Sequence, residues 1–135
     1  MPPTLLDTDI LSLLMRRDVL VQERTRDYLA LHTTLSISII TRYEILRGLN
    51  AKNAMGQLRK FEILSANIVV LPLTNGVVER AAAIYAALHQ SGQLIGDADI
   101  LIAATALENG LVLATNNENH LARINGLVIH NWHSP

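Results

Sequence analysis

The chain has 135 residues, 50% of them hydrophobic and only 4% aromatic, and a formal net charge of −1. That composition predicts a single domain, residues 1–135, whose core is filled by aliphatic side chains and alanine. The absence of cysteine excludes disulfides and thiolate metal sites. No apolar run approaches the roughly 18 residues of a membrane-spanning helix.

The N-terminal MPPTLLDTD has no basic n-region and carries acids within its first ten residues. It is therefore expected not to be a signal peptide, and a cytoplasmic location is expected. Eleven basic residues against twelve acidic ones do not make a broad electrostatic surface for nucleic acid, so any such contact has to be local. Nine arginines against two lysines favour planar pairing with carboxylate or phosphate.

In chain order, Thr4-Leu5-Leu6 reads as a first strand ending on Asp7. A helix with Ile10, Leu11, Leu13 and Leu14 follows, with Thr8 or Asp9 as its expected cap. A second helix is expected over Val19–Leu31, with Leu20, Val21, Tyr28 and Leu29 as its apolar members. Leu35 to Ile39 alternates apolar and small polar residues, as a strand does. The helix after it runs to about Leu49, with Ile40, Tyr43, Ile45, Leu46 and Leu49 expected to face inward. A weaker helix covers Asn53–Leu64, with Met55, Leu58, Phe61 and Ile63 for packing. Ile68-Val69-Val70-Leu71, closed by Pro72, reads as a buried strand. Val77–Leu88 is a helix with Val78, Ala81, Ala82, Tyr85 and Leu88 as its apolar positions. Leu127 to Ile129 is a short final strand before Trp132.

Between these last elements lies GDADILIAATALENGLVLATNN, residues 96–117. Two acids, Asp97 and Asp99, open a helix to about Asn109 that is apolar on almost every side and therefore expected to be deeply buried. Gly110 breaks it, Leu111–Ala114 reads as a buried strand, and Asn116 and Asn117 close it. Strands alternating with helices, in continuous rather than alternating apolar runs, predict a three-layer α/β/α domain with a four- to five-stranded, mainly parallel sheet.

In such a sheet the strand C-termini and the helix starts share one edge. Asp7, Glu44, Asp97 and Asp99 fall there, and Asn117 joins them. No lysine or arginine lies beside Asp7 or Asp97–Asp99 in sequence. Converging carboxylates need a counter-charge, and a hard divalent cation such as Mg²⁺ satisfies them with two or three ligands plus waters. Such an ion polarises a phosphoryl oxygen and acidifies water, which points to phosphodiester hydrolysis.

Each residue also has a quieter reading. Asp7 can stabilise a helix start by its charge, and Asp9 fits a cap or a supporting position better than a ligand. Thr41-x-x-Glu44 has capping-box spacing, although a helix capped by Ser38 would leave Glu44 inside it. Asp97 and Asp99 compete for one N-cap, so at least one is free. Asn116 suits a turn, and His120 a structural or supporting role near the edge. No glycine-rich phosphate loop, no G-x-S-x-G elbow and no paired zinc-ligand histidines occur.

Three motifs, LLDTDILSLL (5–14), TRYEILRGL (41–49) and GDADILIAATALENGLVLATNN (96–117), together resemble the PIN-domain ribonucleases, specifically the VapC-type toxins of toxin–antitoxin pairs. The order and spacing fit over nearly the whole chain. The resemblance implies a PIN-like fold, Mg²⁺ or Mn²⁺ as cofactor, and cleavage of single-stranded RNA to a 3′-hydroxyl and a 5′-phosphate. It also implies a homodimer and a small antitoxin partner. Asp7, Glu44 and Asp99 match the family's acids: Asp7 and Asp99 as direct metal ligands, Glu44 directly or through water. Asp97 is an additional acid. Asn117 stands where some PIN domains have a fourth acid; an amide accepts a hydrogen bond from water but adds no charge, which favours one main ion.

Arg16, Arg42 and Arg47 are candidates for RNA phosphate or antitoxin acids, with pairing to Glu44 the default for Arg47 three residues on. Two other readings stay open: a phosphatase-like or phosphoacceptor domain, and a catalytically decayed PIN-like binding module. The first expects a lysine beside the acids, whereas Lys52 and Lys60 read as lying in or near a helix away from that edge.

Overall fold

The computed structural model describes all residues from Met1 to Pro135. Its five strands are β1 (Thr4–Leu6), β2 (Leu35–Ser38), β3 (Ile68–Leu71), β4 (Val112–Ala114) and β5 (Ile129–His130). They form one sheet in the order β3-β2-β1-β4-β5, and every neighbouring pair is parallel. The helices are α1 (Thr8–Met15), α2 (Val19–Leu31), α3 (Ile39–Ala51), α4 (Met55–Ser65), α5 (Asn75–Gln90), α6 (Asp97–Glu108) and the short α7 (Glu118–Leu121). The expected α/β/α architecture with a parallel sheet is present.

Alternation along the central strands sends successive side chains to opposite faces. Leu5 and Leu113 point into one core with Val77 and Ala81 of α5 and Ile100, Ile102, Ala103 and Ala106 of α6. Leu6, Ile37 and Ala114 point into the other, with Ile10, Val21, Tyr28, Ile45, Phe61 and Trp132. Alanines at Ala103, Ala104 and Ala106 are fully buried and let α6 lie close to its neighbours. At the end of α6, Gly110 takes φ +65°, Leu111 N donates to Ala106 O at 2.9 Å and Gly110 N to Leu107 O at 3.2 Å. This glycine-terminated C-cap turns the chain directly into β4.

Several local expectations are corrected. The cap of α1 is Asp7, whose Oδ1 accepts from Ile10 N at 2.9 Å, not Thr8 or Asp9, which lie within the first turn. Ser38 caps α3 by accepting from Thr41 N, so Ile39 leaves the strand, and the Thr41–Glu44 capping box does not form. Gly96 occupies the N-cap position of α6, and neither Asp97 nor Asp99 makes a capping bond. β3 is an edge strand, and Val69 is exposed. Tyr43, Met55, Ile63, Leu29, Val78, Ala82 and Tyr85 face outward rather than inward. Helical spacing locates a stripe but does not say which of two adjacent apolar stripes finds a partner. No helix is long and apolar enough to cross a membrane.

Candidate functional site

β1 is central, and the chain runs from it to β2 on one side and later to β4 on the other. The crevice beyond the carboxyl ends of β1 and β4 is thus a topological switch point, where open α/β sheets bind ligands. Asp7 leaves the end of β1 and Thr115 the end of β4, and Asp7 N donates to Ala114 O at 3.0 Å across the two strands.

Asp7 is 6% exposed. Burial pushes its carboxyl up to about 7; hydrogen bonds from Thr115 and from Ile10 N pull it down, and the charges of Asp9 and Asp99 raise it further. Its capping role in α1 is real but does not relieve the charge. Asp99, half-buried in the first turn of α6, is also raised, first by burial and then by Glu44 and Asp9, against the lowering effects of His120 and Asn117. Asp7 therefore feels the charges of Asp9 and Asp99, and Asp99 those of Glu44 and Asp9, although these acids belong to α1, α3 and α6.

Glu44 sits in the second turn of α3. The Thr8 hydroxyl donates to its Oε1 at 2.6 Å, and the Thr41 hydroxyl lies 3.1 Å from Thr8 Oγ1. Arg47 reaches Glu44 Oε2 at 3.7 Å, the expected pairing, and lies over the Tyr43 ring. Asn117 Nδ2 approaches Asp99 Oδ2 at 3.5 Å and faces His120 Nδ1 at 3.1 Å. Asn117 thus joins the edge together with His120. Asp97 is exposed and makes no side-chain hydrogen bond or ion pair, and Asn116 Oδ1 accepts from Asn131 in the turn region. Arg42 is engaged elsewhere, 3.6 Å from Glu62 and over the Phe61 ring.

Thr8 and Thr115 also belong to this edge. In the sequence Thr8 reads only as a possible cap, and Thr115 in ATNN carries no motif of its own. A hydroxyl residue within two positions of a strand end is the one signal for both, and it does not name their partners, which lie 36 residues away for Thr8 and at the end of the neighbouring strand for Thr115. As expected, Lys52 and Lys60 lie in or at the end of helices, Lys52 at the far end of α3 from Ser38; the structure adds that both line a cleft of about 470 Å³ that also includes Thr8 and Glu44.

The chemistry of the donor set fits a hard divalent cation. Asp7 and Asp99 both have raised carboxyls, and neither is paired with a lysine or arginine. A carboxylate so destabilised by burial and like charge is relieved by an oxygen-seeking cation. No three acidic or histidine side chains stand close enough together to hold a metal ion among them; an ion bound by Asp7 and Asp99 would have to take the rest of its shell from water, as Mg²⁺ commonly does.

A doubly wound α/β domain with uncompensated acids at its switch point defines a class of candidate metal-dependent phosphoryl-transfer proteins. The PIN-domain family model matches residues 4–127, and the chain belongs to that family. Ribonuclease VapC1 of Haemophilus influenzae strain R2866 is 30% identical over 130 residues, which are 95% of this chain and 96% of that protein. The tRNA(fMet)-specific endonuclease VapC of Shigella flexneri is 30% identical over 73% of this chain and 75% of its own. In structure, a chain of the DNA-bound VapBC of Salmonella typhimurium superposes with a TM-score of 0.88 at 27% identity, covering 98% of this chain and 99% of that one.

Proposed function

We propose that the protein is a divalent-metal-dependent endoribonuclease, the toxin of a VapBC-type toxin–antitoxin pair. The observation that carries this reading is the placement of a buried Asp7 and a half-buried Asp99 at one edge of the sheet, both raised by burial and neighbouring acids and neither paired with a lysine or arginine. Similarity to named VapC ribonucleases over most of the chain supports the reaction class. Similarity to VapBC complexes supports an antitoxin partner, with a homodimer in the cytosol as the proposed working form.

Asp7 and Asp99 would hold Mg²⁺ or Mn²⁺ directly, Glu44 directly or through water, and Asp97, exposed in the first turn of α6, would be an additional acid. Asn117 would contribute through water. When bound, the ion supplies positive charge against the scissile phosphate and acidifies nearby water. The chain's own residues do the positioning. Thr8 fixes one oxygen of Glu44 and Arg47 steers the other, which orients Glu44 toward an attacking water. Asn117, between Asp99 and His120, limits the rotation of the Asp99 carboxyl. Burial of Asp7 keeps bulk water off the deepest ligand. Holding reactants in this way lowers the entropy cost of the attack.

The test is a cleavage-site map on total RNA with Mg²⁺ and with Mn²⁺, comparing wild type with Asp99→Asn. Discrete cleavage that is lost in the variant and in EDTA is expected. Equal cleavage in EDTA, or by Asp99→Asn, defeats the proposal.

A further inference from the structure

The cleft bounded by α1, α3 and α4 begins at Thr8 and Glu44 and is lined farther along by Arg16, Lys52 and Lys60. These three cations come from three different helices: the C-cap of α1, the C-cap of α3 and the body of α4. None of them has an acidic or carbonyl partner on the protein. Arg42, Arg47 and Arg80 are in ion pairs, and Arg24 and Arg123 donate to backbone carbonyls; Arg17, Arg26 and Arg59 are also unpaired but lie off the cleft, so it is the convergence of Arg16, Lys52 and Lys60 on one concavity that sets them apart. Glu44 is the only acid on the cleft wall.

Cations at helix C-termini complement the helix dipole, which accounts for Arg16 and Lys52 taken singly. It does not account for Lys60, which lies inside α4, nor for the convergence of all three on one concavity. The floor between them is apolar, with Met15, Leu49 and Leu64. A volume of about 470 Å³ lies within the roughly 300–1,000 Å³ range of sites for single small-molecule ligands. From Glu44 to Lys52 the helix rises about 12 Å, so the basic end is a short step from the acidic one.

We propose that this cleft is the subsite for the nucleotide flanking the scissile phosphate, with Lys52, Lys60 and Arg16 binding the RNA backbone and the apolar floor taking the base. The proposal rests on the ribonuclease reading above. Unpaired cations beside an apolar surface match a strand of phosphates and base faces. An acidic peptide would satisfy the cations alone and leave the floor without a matching partner. The acidic crevice and the basic cleft then divide the labour: one end holds the reacting phosphate, the other sets where the strand lies.

The experiment compares the double variant Lys52→Gln/Lys60→Gln, and separately Arg16→Gln, with a control double variant, Arg26→Gln/Arg59→Gln, that removes the same charge from exposed residues off the cleft. In an Asp99→Asn background, binding of a short single-stranded oligouridylate is measured across a salt series. The cleft double variant is expected to bind about tenfold more weakly, with a salt slope shallower by about 1.4, the value for two lost phosphate contacts. In the active background its KM rises while kcat stays within about twofold, because the interaction is made equally in ground and transition states. The control is expected to match wild type, and circular dichroism and Tm to be unchanged throughout. If wild type cleaves RNA but the cleft variants keep its KM and salt slope, the subsite is overturned and the ribonuclease reading stands. If an oligoglutamate loses binding to the cleft variants while RNA does not, the cleft belongs to an acidic protein partner and the proposal is likewise overturned. Absence of RNA cleavage by wild type removes both.

Discussion

Thr8 Oγ1 donates to Glu44 Oε1 at 2.6 Å, tying the first residue of α1 to the second turn of α3. The bond holds one oxygen of a carboxylate whose other oxygen lies 3.7 Å from Arg47. It also joins α1, the helix that Asp7 caps, to the helix that carries Glu44.

Thr8→Val keeps the shape and removes this donor. Cleavage is expected to fall about tenfold in kcat, in the range of a misplaced catalytic group, with Tm within a few degrees of wild type. Thr8→Ser retains the hydroxyl and is expected to recover most of the activity. Equal kcat for Thr8→Val and wild type would show that Glu44 needs no such support.

Asp7 carries the pH signature. Its carboxyl is raised to about 7 in the folded chain, against about 3.9 in the unfolded one. A native state that binds the proton more tightly is favoured below pH 4 and loses that advantage as pH rises toward 7. Asp7→Asn removes the charge while the amide oxygen still caps α1. In metal-free protein, its Tm is therefore expected to exceed that of wild type at pH 8 and to equal it near pH 4. Thermal melts at both pH values in EDTA decide this, and the reverse order would falsify the assignment of Asp7 as an uncompensated buried acid.

Asn117→Asp adds the fourth carboxylate that the amide replaces. It faces Asp99 at a contact that is now 3.5 Å from amide to carboxylate. Repulsion is expected to lower the Tm of metal-free protein at pH 8. Titration calorimetry with Mn²⁺ is expected to show roughly tenfold tighter binding, because affinity for a hard cation grows with ligand charge. Unchanged binding would mean that Asn117 does not face the ion.

Phe61 is the only buried residue of α4, and no side chain caps that helix. Phe61→Ala should cost about 3–5 kcal/mol, as truncation of a buried aromatic does. Hydrogen exchange should accelerate most in residues 55–65, the wall that carries Lys60. Uniform acceleration along the whole chain would place the anchoring of α4 elsewhere.

Much of this was readable without coordinates because it is local. The runs at Thr4–Leu6, Ile68–Leu71 and Ile100–Leu107 are marked by unbroken apolar composition, Gly110 carries its own stop signal, and Asp7, Glu44 and Asp99 their motifs. Which face of a helix is covered was not local. Val78 and Tyr85 are as apolar as Val77 and Ala81, yet only the latter two meet α6 and the sheet. The caps at Asp7 and Gly96 are not local either, because several neighbouring residues can cap equally well and the path by which the chain enters each helix decides which of them does.

The sequence alone determined the alternation of strand and helix, the parallel sheet that follows from it and the three acids, since each depends on residue type at short spacing. Only the tertiary structure decided how these acids are held. The bond from Thr8 to Glu44 spans 36 residues, the lowering of Asp7 by Thr115 crosses from β1 to β4, and the approach of Asn117 to Asp99 spans 18. It also showed that Lys52 and Lys60, on two different helices, line one cleft with Glu44. The physical reason is that charge and hydrogen bonding act over a few ångströms of space, and chain connectivity does not reveal which distant residues the packing of α1, α3 and α4 brings within that range.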